Sequence, residues 1–200
     1  AIEMALEEDG ADLTSRACFE SADSMRALVV AKGESVVAGL PLAELILRQC
    51  ARHDERDLDW NVTYEVEEGD EVGEDDVIMR LRGPAPLLLK AERVILNFIT
   101  HLSGVAWTTR RYVRALEGTR TRLLDTRKTL PGLRYPEKYA VLVGGGLNHR
   151  MHLGDMLMLK DNHIDRCGCI RRAVDRLRTA YDKCPPIEVE CRDLEDVAEA

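Results

Sequence analysis

The sequence predicts an α/β protein built in two parts, and three observations carry that reading. Residues 59–83 alternate apolar and polar side chains, as a half-buried antiparallel sheet does, and residues 87–115 place apolar residues at helical spacing. From residue 119 onward, short apolar runs recur roughly every 30 residues, the length of a βαβ unit. Runs 122–126, 156–160 and 187–190 are short and apolar enough to be buried parallel strands.

Taken in order, IEMALEED reads as a helix that stops at Gly10, and Asp12-Leu13-Thr14-Ser15 suits a turn or a new cap. Residues 25–31 and 35–38 read as two strands of a hairpin closed by Lys32-Gly33-Glu34. Gly39-Leu40-Pro41 leads into a helix marked by Leu42, Leu45, Ile46 and Gln49, where Pro41 in the first turn loses no useful donor. Val62, Tyr64 and Val66, then Val77, Met79 and Leu81, mark antiparallel strands around the charged turn region GDEVGEDD, whose acids read as a solvated face. Gly83-Pro84-Ala85-Pro86 punctuates the chain, and Leu88, Ala91, Ile95, Phe98, Ile99, Leu102 and Val105 line a long helical segment that Gly104 is expected to divide. The organisation expected is one domain over residues 1–90, and a helical connection with the start of a second domain over residues 91–200. Within the second, residues 171–180 form the clearest helix, with Ala173, Val174 and Leu177 inward.

A 200-residue chain with 45% hydrophobic and 32% charged residues buries a full core. It has no apolar run of about 18 residues and no signal peptide pattern, so the expectation is a cytoplasmic protein with no membrane partner. Six scattered cysteines without a CxxC pair are expected to be reduced, and His163, Cys167 and Cys169 lack the spacing of a zinc site, so no protein metal site is expected. A pI near 5.2 with 4% aromatic residues argues against nucleic acid.

Charge is unevenly spread. Residues 1–92 hold 22 Asp/Glu against nine Lys/Arg, whereas residues 120–163 hold eight Lys/Arg against four Asp/Glu. A cationic stretch in a chain of net charge -8 points to a small anionic ligand. If the three predicted strands belong to a parallel α/β barrel, their C-terminal ends present Thr126-Arg127-Lys128, Lys160-Asp161-Asn162-His163 and Glu190 on one rim, where such barrels place active sites. Gly144-Gly145-Gly146 fits neither GxxxxGK[ST] nor GxGxxG, so these glycines are read as allowing close backbone packing while the next turn aims His149 and Arg150. Arg93, beside Asn97, reads on composition as a snorkelling or salt-bridged helix residue. Arg134, Lys138 and His152 read as surface or supporting groups, and His163 is open between structure and function.

The stretch TRKTLPGLRYPEKYAVLVGGGLNHRMHLGDMLMLKDNH closely resembles quinolinate phosphoribosyltransferases (nicotinate-nucleotide pyrophosphorylases), the decarboxylating enzymes of NAD synthesis. DLTS, GLPLAE, GDEVGEDDVIMRLRGPA and AERVILNFITHLSGVAW resemble that family's segments in the same order. The resemblance implies an N-terminal α/β sandwich domain followed by an α/β barrel of mostly parallel strands, incomplete here. It implies that quinolinate and phosphoribosyl pyrophosphate are the substrates, with Mg2+ carried on the latter, and that nicotinate mononucleotide, pyrophosphate and CO2 are the products.

It also implies a substrate site of Arg93, Thr126, Arg127, Lys128, His149, Arg150, Lys160 and Glu190, with Lys128, Lys160 and Glu190 catalytic. By the family pattern Arg93 comes from the other subunit of a homodimer, which reverses the reading from composition. The implied roles follow charge and shape: guanidinium forks bind carboxylates at two points, and lysines act as compact charges. A paralogous phosphoribosyltransferase with another substrate, and a non-catalytic anion-binding module, are the competing readings. The chain begins without Met and ends within a helix expected after residue 190. It is therefore read as a fragment, inactive and poorly stable alone because a parallel sheet edge would lie open.

Overall fold

The computed structural model describes residues 1–20, 23–52 and 59–200, which form two compact units, Ala1–His149 and Arg150–Ala200. In the first unit, α1 (Ile2–Asp9) ends at Gly10, whose φ of +68° suits a residue without a side chain. Asp12 caps α2 (Leu13–Cys18) by accepting the Ser15 N–H at 2.9 Å. Strands β1 (Ser24–Val30), β2 (Ser35–Val36), β3 (Asn61–Tyr64), β4 (Glu71–Val72) and β5 (Val77–Pro84) surround α3 (Pro41–Arg52) in sequence and lead into α4 (Ala85–Ala115).

The main sheet has the order β1-β5-β3, antiparallel throughout, with Leu81 of β5 opposite both Ala27 and Val62. β2 instead pairs with β4, Ser35 opposite Val72. The hairpin expected of residues 25–31 and 35–38 is therefore not formed. β1 takes as its partner the far-downstream β5, the longest strand of the first unit. The acid-rich turn region holds β4, and its carboxylates bind locally: Asp70 accepts the Glu67 N–H at 2.8 Å and Asp76 the Gly73 N–H at 2.7 Å.

α4 runs unbroken through Gly104, contrary to the division expected there. A helical glycine costs about 1 kcal/mol relative to alanine, and the buried stripe that continues through Leu102, Ser103, Ala106 and Thr109 outweighs it. The expected domain division at residues 90 and 91 falls inside this helix. Ala43, Ile46, Leu47 and Cys50 of α3 and Leu88, Ala91, Ile95 and Phe98 of α4 form the core with Met79 and Leu81 of β5. Glu68 fastens the turn before α3 by accepting the Gly39 N–H at 3.1 Å and the Leu40 N–H, and burial nevertheless holds its carboxyl above the usual range.

α5 (Arg134–Val143) follows, packed on α4 through Ala140 against Leu102 and Ala106. The strand expected over residues 122–126 is reduced to a single parallel bridge, Leu124 with Leu147, in which Asp125 N–H donates to Leu147 O at 3.0 Å and Leu147 N–H to Leu123 O at 2.9 Å.

The second unit contains β6 (Leu157–Leu159), α6 (Asp161–Cys167), α7 (Ile170–Ala180), β7 (Ile187–Val189) and α8 (Leu194–Glu199). β6 and β7 pair in parallel, Leu157 opposite Ile187 and Leu159 opposite Val189, as the 30-residue period requires. Leu159, Ile164, Ile170 and Ala173 are its core, with Val174 and Leu177 packed against them. No helix among the described residues is long and apolar enough to cross a membrane. The six cysteines are free thiols.

Candidate active site

The first unit carries Arg93, Thr126, Arg127, Lys128 and His149. Arg93 lies exposed on α4, one residue from the exposed Glu92 and on the face opposite the core stripe. Thr126, Arg127 and Lys128 lie on the loop between α4 and α5, and Thr126 Oγ1 accepts the Lys128 N–H at 3.1 Å, which folds the loop into a tight turn. Lys128 is exposed, and Arg127 is half-buried with its Nε enclosed and without a hydrogen-bond partner among the described residues. A buried N–H without an acceptor is costly, so Arg127 Nε is a polar group that the described fold leaves unsatisfied.

Beneath the turn lies a charged network that sequence reasoning missed. Asp125 and Lys138 form an ion pair with side chains 7% and 1% exposed. Asp125 Oδ1 also accepts the His149 backbone N–H at 2.8 Å. The Asn148 amide, turned so that its nitrogen faces the acceptors, donates to Asp125 Oδ2 at 2.7 Å and to Lys138 O at 2.9 Å. Lys138, read from sequence as a surface or supporting group, is thus a buried support. The signal available was Asp125 beside a cationic run with Lys138 on the helix after it, but only the fold brings residues 13 apart in sequence into contact.

The glycines before His149 permit that closeness. A Cβ on Gly144 would lie 2.5 Å from Ala106 O and 2.6 Å from Thr109 Cβ, and one on Gly146 would lie 2.8 Å from Val141 Cγ1. Arg110 binds the same corner, donating from Nε to Gly144 O at 3.1 Å and from Nη2 to Val143 O at 3.2 Å.

The second unit carries Arg150, Lys160 and Glu190. Arg150 Nη1 donates to Met156 O at 3.1 Å, and Nη2 reaches Met158 Sδ at 3.3 Å. Lys160 follows β6 and opens α6, and Glu190 follows β7, its N–H donating to Leu159 O at 2.9 Å. Because the strands are parallel and in register, the two side chains emerge side by side, Lys160 Nζ 2.8 Å from Glu190 Oε2. His163 accepts the Lys160 N–H through Nδ1 at 3.0 Å, which gives it a local structural task. His152, largely exposed, pairs with Asp155 at 2.9 Å.

Comparison with known proteins decides the family. The model for the quinolinate phosphoribosyl transferase N-terminal domain matches residues 12–103, and that for the C-terminal domain matches residues 105–200. The chain belongs to the quinolinate phosphoribosyltransferase family. It is 44% identical over 191 residues to a probable nicotinate-nucleotide pyrophosphorylase [carboxylating] of Bacillus subtilis, a match covering 94% of this chain and 63% of that protein. It is 39% identical to the nicotinate-nucleotide pyrophosphorylase [carboxylating] of Mycobacterium leprae, covering 98% of this chain and 68% of that one. The crystal structure of NadC from Streptococcus pyogenes superposes with a TM-score of 0.90 at 37% identity, over all of this chain and 69% of that chain. The chain thus spans about two thirds of the length of these relatives, and less than that of the B. subtilis protein. The α/β fold, with an N-terminal sheet domain and the start of a parallel barrel, is that of the family.

Proposed function

We propose that this chain contributes to phosphoribosyl transfer from phosphoribosyl pyrophosphate to quinolinate with decarboxylation, giving nicotinate mononucleotide, pyrophosphate and CO2. The observation that carries the reading is the Lys160–Glu190 pair, 2.8 Å apart at the C-terminal ends of adjacent parallel strands, the edge at which α/β enzymes bind substrates. Family membership supports the choice of substrates.

In the first unit Arg127 and His149, and in the second Arg150, are groups suited to the carboxylates of quinolinate, and Arg93 is assigned the same task from the second subunit of a homodimer. The exposure of Arg93 on α4 supports that last role. Thr126 shapes the turn, and Lys128 and Lys160 receive carboxylate or phosphate oxygens. Mg2+ arrives with phosphoribosyl pyrophosphate as part of that substrate. The pyridine nitrogen bonds to the anomeric carbon as the carbon–pyrophosphate bond breaks, and the lysines stabilise the charge on the departing oxygen. Glu190 faces the ribose, where its carboxylate favours the positive charge that develops on the ring. The carboxylate next to the new pyridinium nitrogen then leaves as CO2, and the carbanion so formed takes up a proton. The chemistry needs no covalent enzyme nucleophile, and the setting proposed is the cytoplasm.

Calorimetric titration with quinolinate, followed by measurement of CO2 release, tests the reading in the protein that carries this chain. Wild type is expected to bind and to release CO2 only with phosphoribosyl pyrophosphate present, and Arg150→Ala to lose quinolinate affinity. Near-normal affinity in Arg150→Ala overturns the carboxylate clamp. Binding without CO2 release favours a relative with other chemistry.

A further inference from the structure

Two neighbouring residues of α5, Glu137 and Lys138, are 9% and 1% exposed, and both reach back to the loop that carries Arg127 and Lys128. Burying a charge is unfavourable unless partners compensate, so each such side chain marks a contact the fold maintains at some expense. Lys138 holds the start of the loop through Asp125. Glu137 holds its end: both carboxylate oxygens accept the Leu130 N–H, each at 3.3 Å, while Oε1 also meets His101 Nε2 of α4 at 2.9 Å. Asp125 and Leu130 therefore bracket Thr126, Arg127, Lys128 and Thr129, and Arg134, also of α5, donates to Thr129 Oγ1 at 3.4 Å. The bracket is tied to α4 through His101 and to the His149 turn through Asp125.

We propose that Glu137 and Lys138 form a two-ended clamp of positioning residues that sets the 126–129 loop, and with it Arg127 and Lys128, for a planar dicarboxylate. Stability alone does not call for this arrangement, because a buried ion pair is commonly no more stabilising than apolar side chains of similar volume. What it supplies is direction: a four-residue loop anchored at both ends to one helix fixes the backbone from which Arg127 and Lys128 extend before substrate arrives, and Arg127 Nε is enclosed without a partner among the described residues. The inference rests on the proposed function, and it adds residues that do not themselves touch substrate.

The test uses the protein that carries this chain, with quinolinate titrated by calorimetry and turnover measured on the same samples. Glu137→Ala is expected to raise both Kd and KM for quinolinate about tenfold or more, since small misplacements of binding groups are costly. Glu137→Gln keeps an acceptor for the Leu130 N–H and is expected to recover most of that loss. A merely structural role would lower the active fraction, so that kcat falls while Kd and KM stay at wild-type values, and that result overturns the clamp. Lys138→Met strands the Asp125 carboxylate and risks the fold, so the double variant Asp125→Asn/Lys138→Met, which removes both charges, is the second arm. It is expected to keep the wild-type thermal midpoint within a few degrees and to bind quinolinate about tenfold more weakly. If it folds and binds as wild type does, the Lys138 end of the clamp is overturned, and if it fails to fold, the Glu137 pair decides alone. Wild-type protein that binds no quinolinate overturns the functional reading and the clamp with it, whereas wild-type binding with unchanged variants overturns only the clamp.

Discussion

Lys160 Nζ lies 2.8 Å from Glu190 Oε2, joining the ends of two parallel strands whose residues are 30 apart in sequence. Both side chains are substantially exposed, 46% and 62%, so the pair stabilises the fold weakly. Exposed ion pairs contribute at most about 1 kcal/mol, and Lys160→Ala or Glu190→Gln should change the unfolding free energy measured in urea by no more than that. Turnover should nevertheless fall by about 10²-fold or more, the loss typical when a group stabilising transition-state charge is removed. A fall in stability that accounts for the activity lost would refute the catalytic assignment.

Gly144 packs tightly against α4. An added Cβ would meet Ala106 O, a backbone atom with little room to yield, at 2.5 Å. Gly144→Ala should therefore destabilise by about 1–3 kcal/mol, the usual range for overpacking, measured by chemical denaturation. It should also weaken quinolinate binding, because the same corner leads into Asn148 and His149. An unchanged midpoint would show that the corner relaxes freely.

Acid stability should depend on Glu71. The hydrogen bond from Arg114 first, with the charges of Arg114 and Arg110, holds its carboxyl below the ordinary glutamate range. The unfolded chain therefore binds the proton more readily than the native one. The stabilisation is fully present above the unfolded pKa and is lost as pH falls through the lowered native value. Glu71→Gln should melt below wild type at neutral pH, with the difference closing on acidification through that window. Parallel thermal scans across the acid range check it, and a constant offset would contradict it.

Much of the fold was legible in local pattern. The cap at Asp12, the stop at Gly10, the α7 stripe and the β6–β7 period follow from side chains interacting within a few residues or from the length of a βαβ unit. Of the α3 stripe only the helix itself and Ile46 were legible, since Leu45 is exposed and Ala43, Leu47 and Cys50 are buried instead. Strand partnership was not legible in the same way: β1 and β2 are neighbours in sequence, yet each pairs with a strand far downstream, because pairing depends on contacts between segments distant along the chain. Gly104 misled for a related reason, since propensity is a small local effect and the buried stripe of α4 outweighs it.

The site divides along the same line. By itself the sequence determined that cations gather over residues 120–163, that Thr126, Arg127, Lys128, Lys160 and Glu190 fall at predicted strand ends, and which family the chain resembles. Residue type and spacing along the chain are enough for that. Only the tertiary structure decided that Lys160 and Glu190 stand within hydrogen-bonding distance, that Lys138 is interior, and that Glu137 and Lys138 hold both ends of one loop. The first of these depends on the parallel register of β6 and β7, and the other two on which charges are removed from water together; register and burial are properties of the packed chain that no single segment carries.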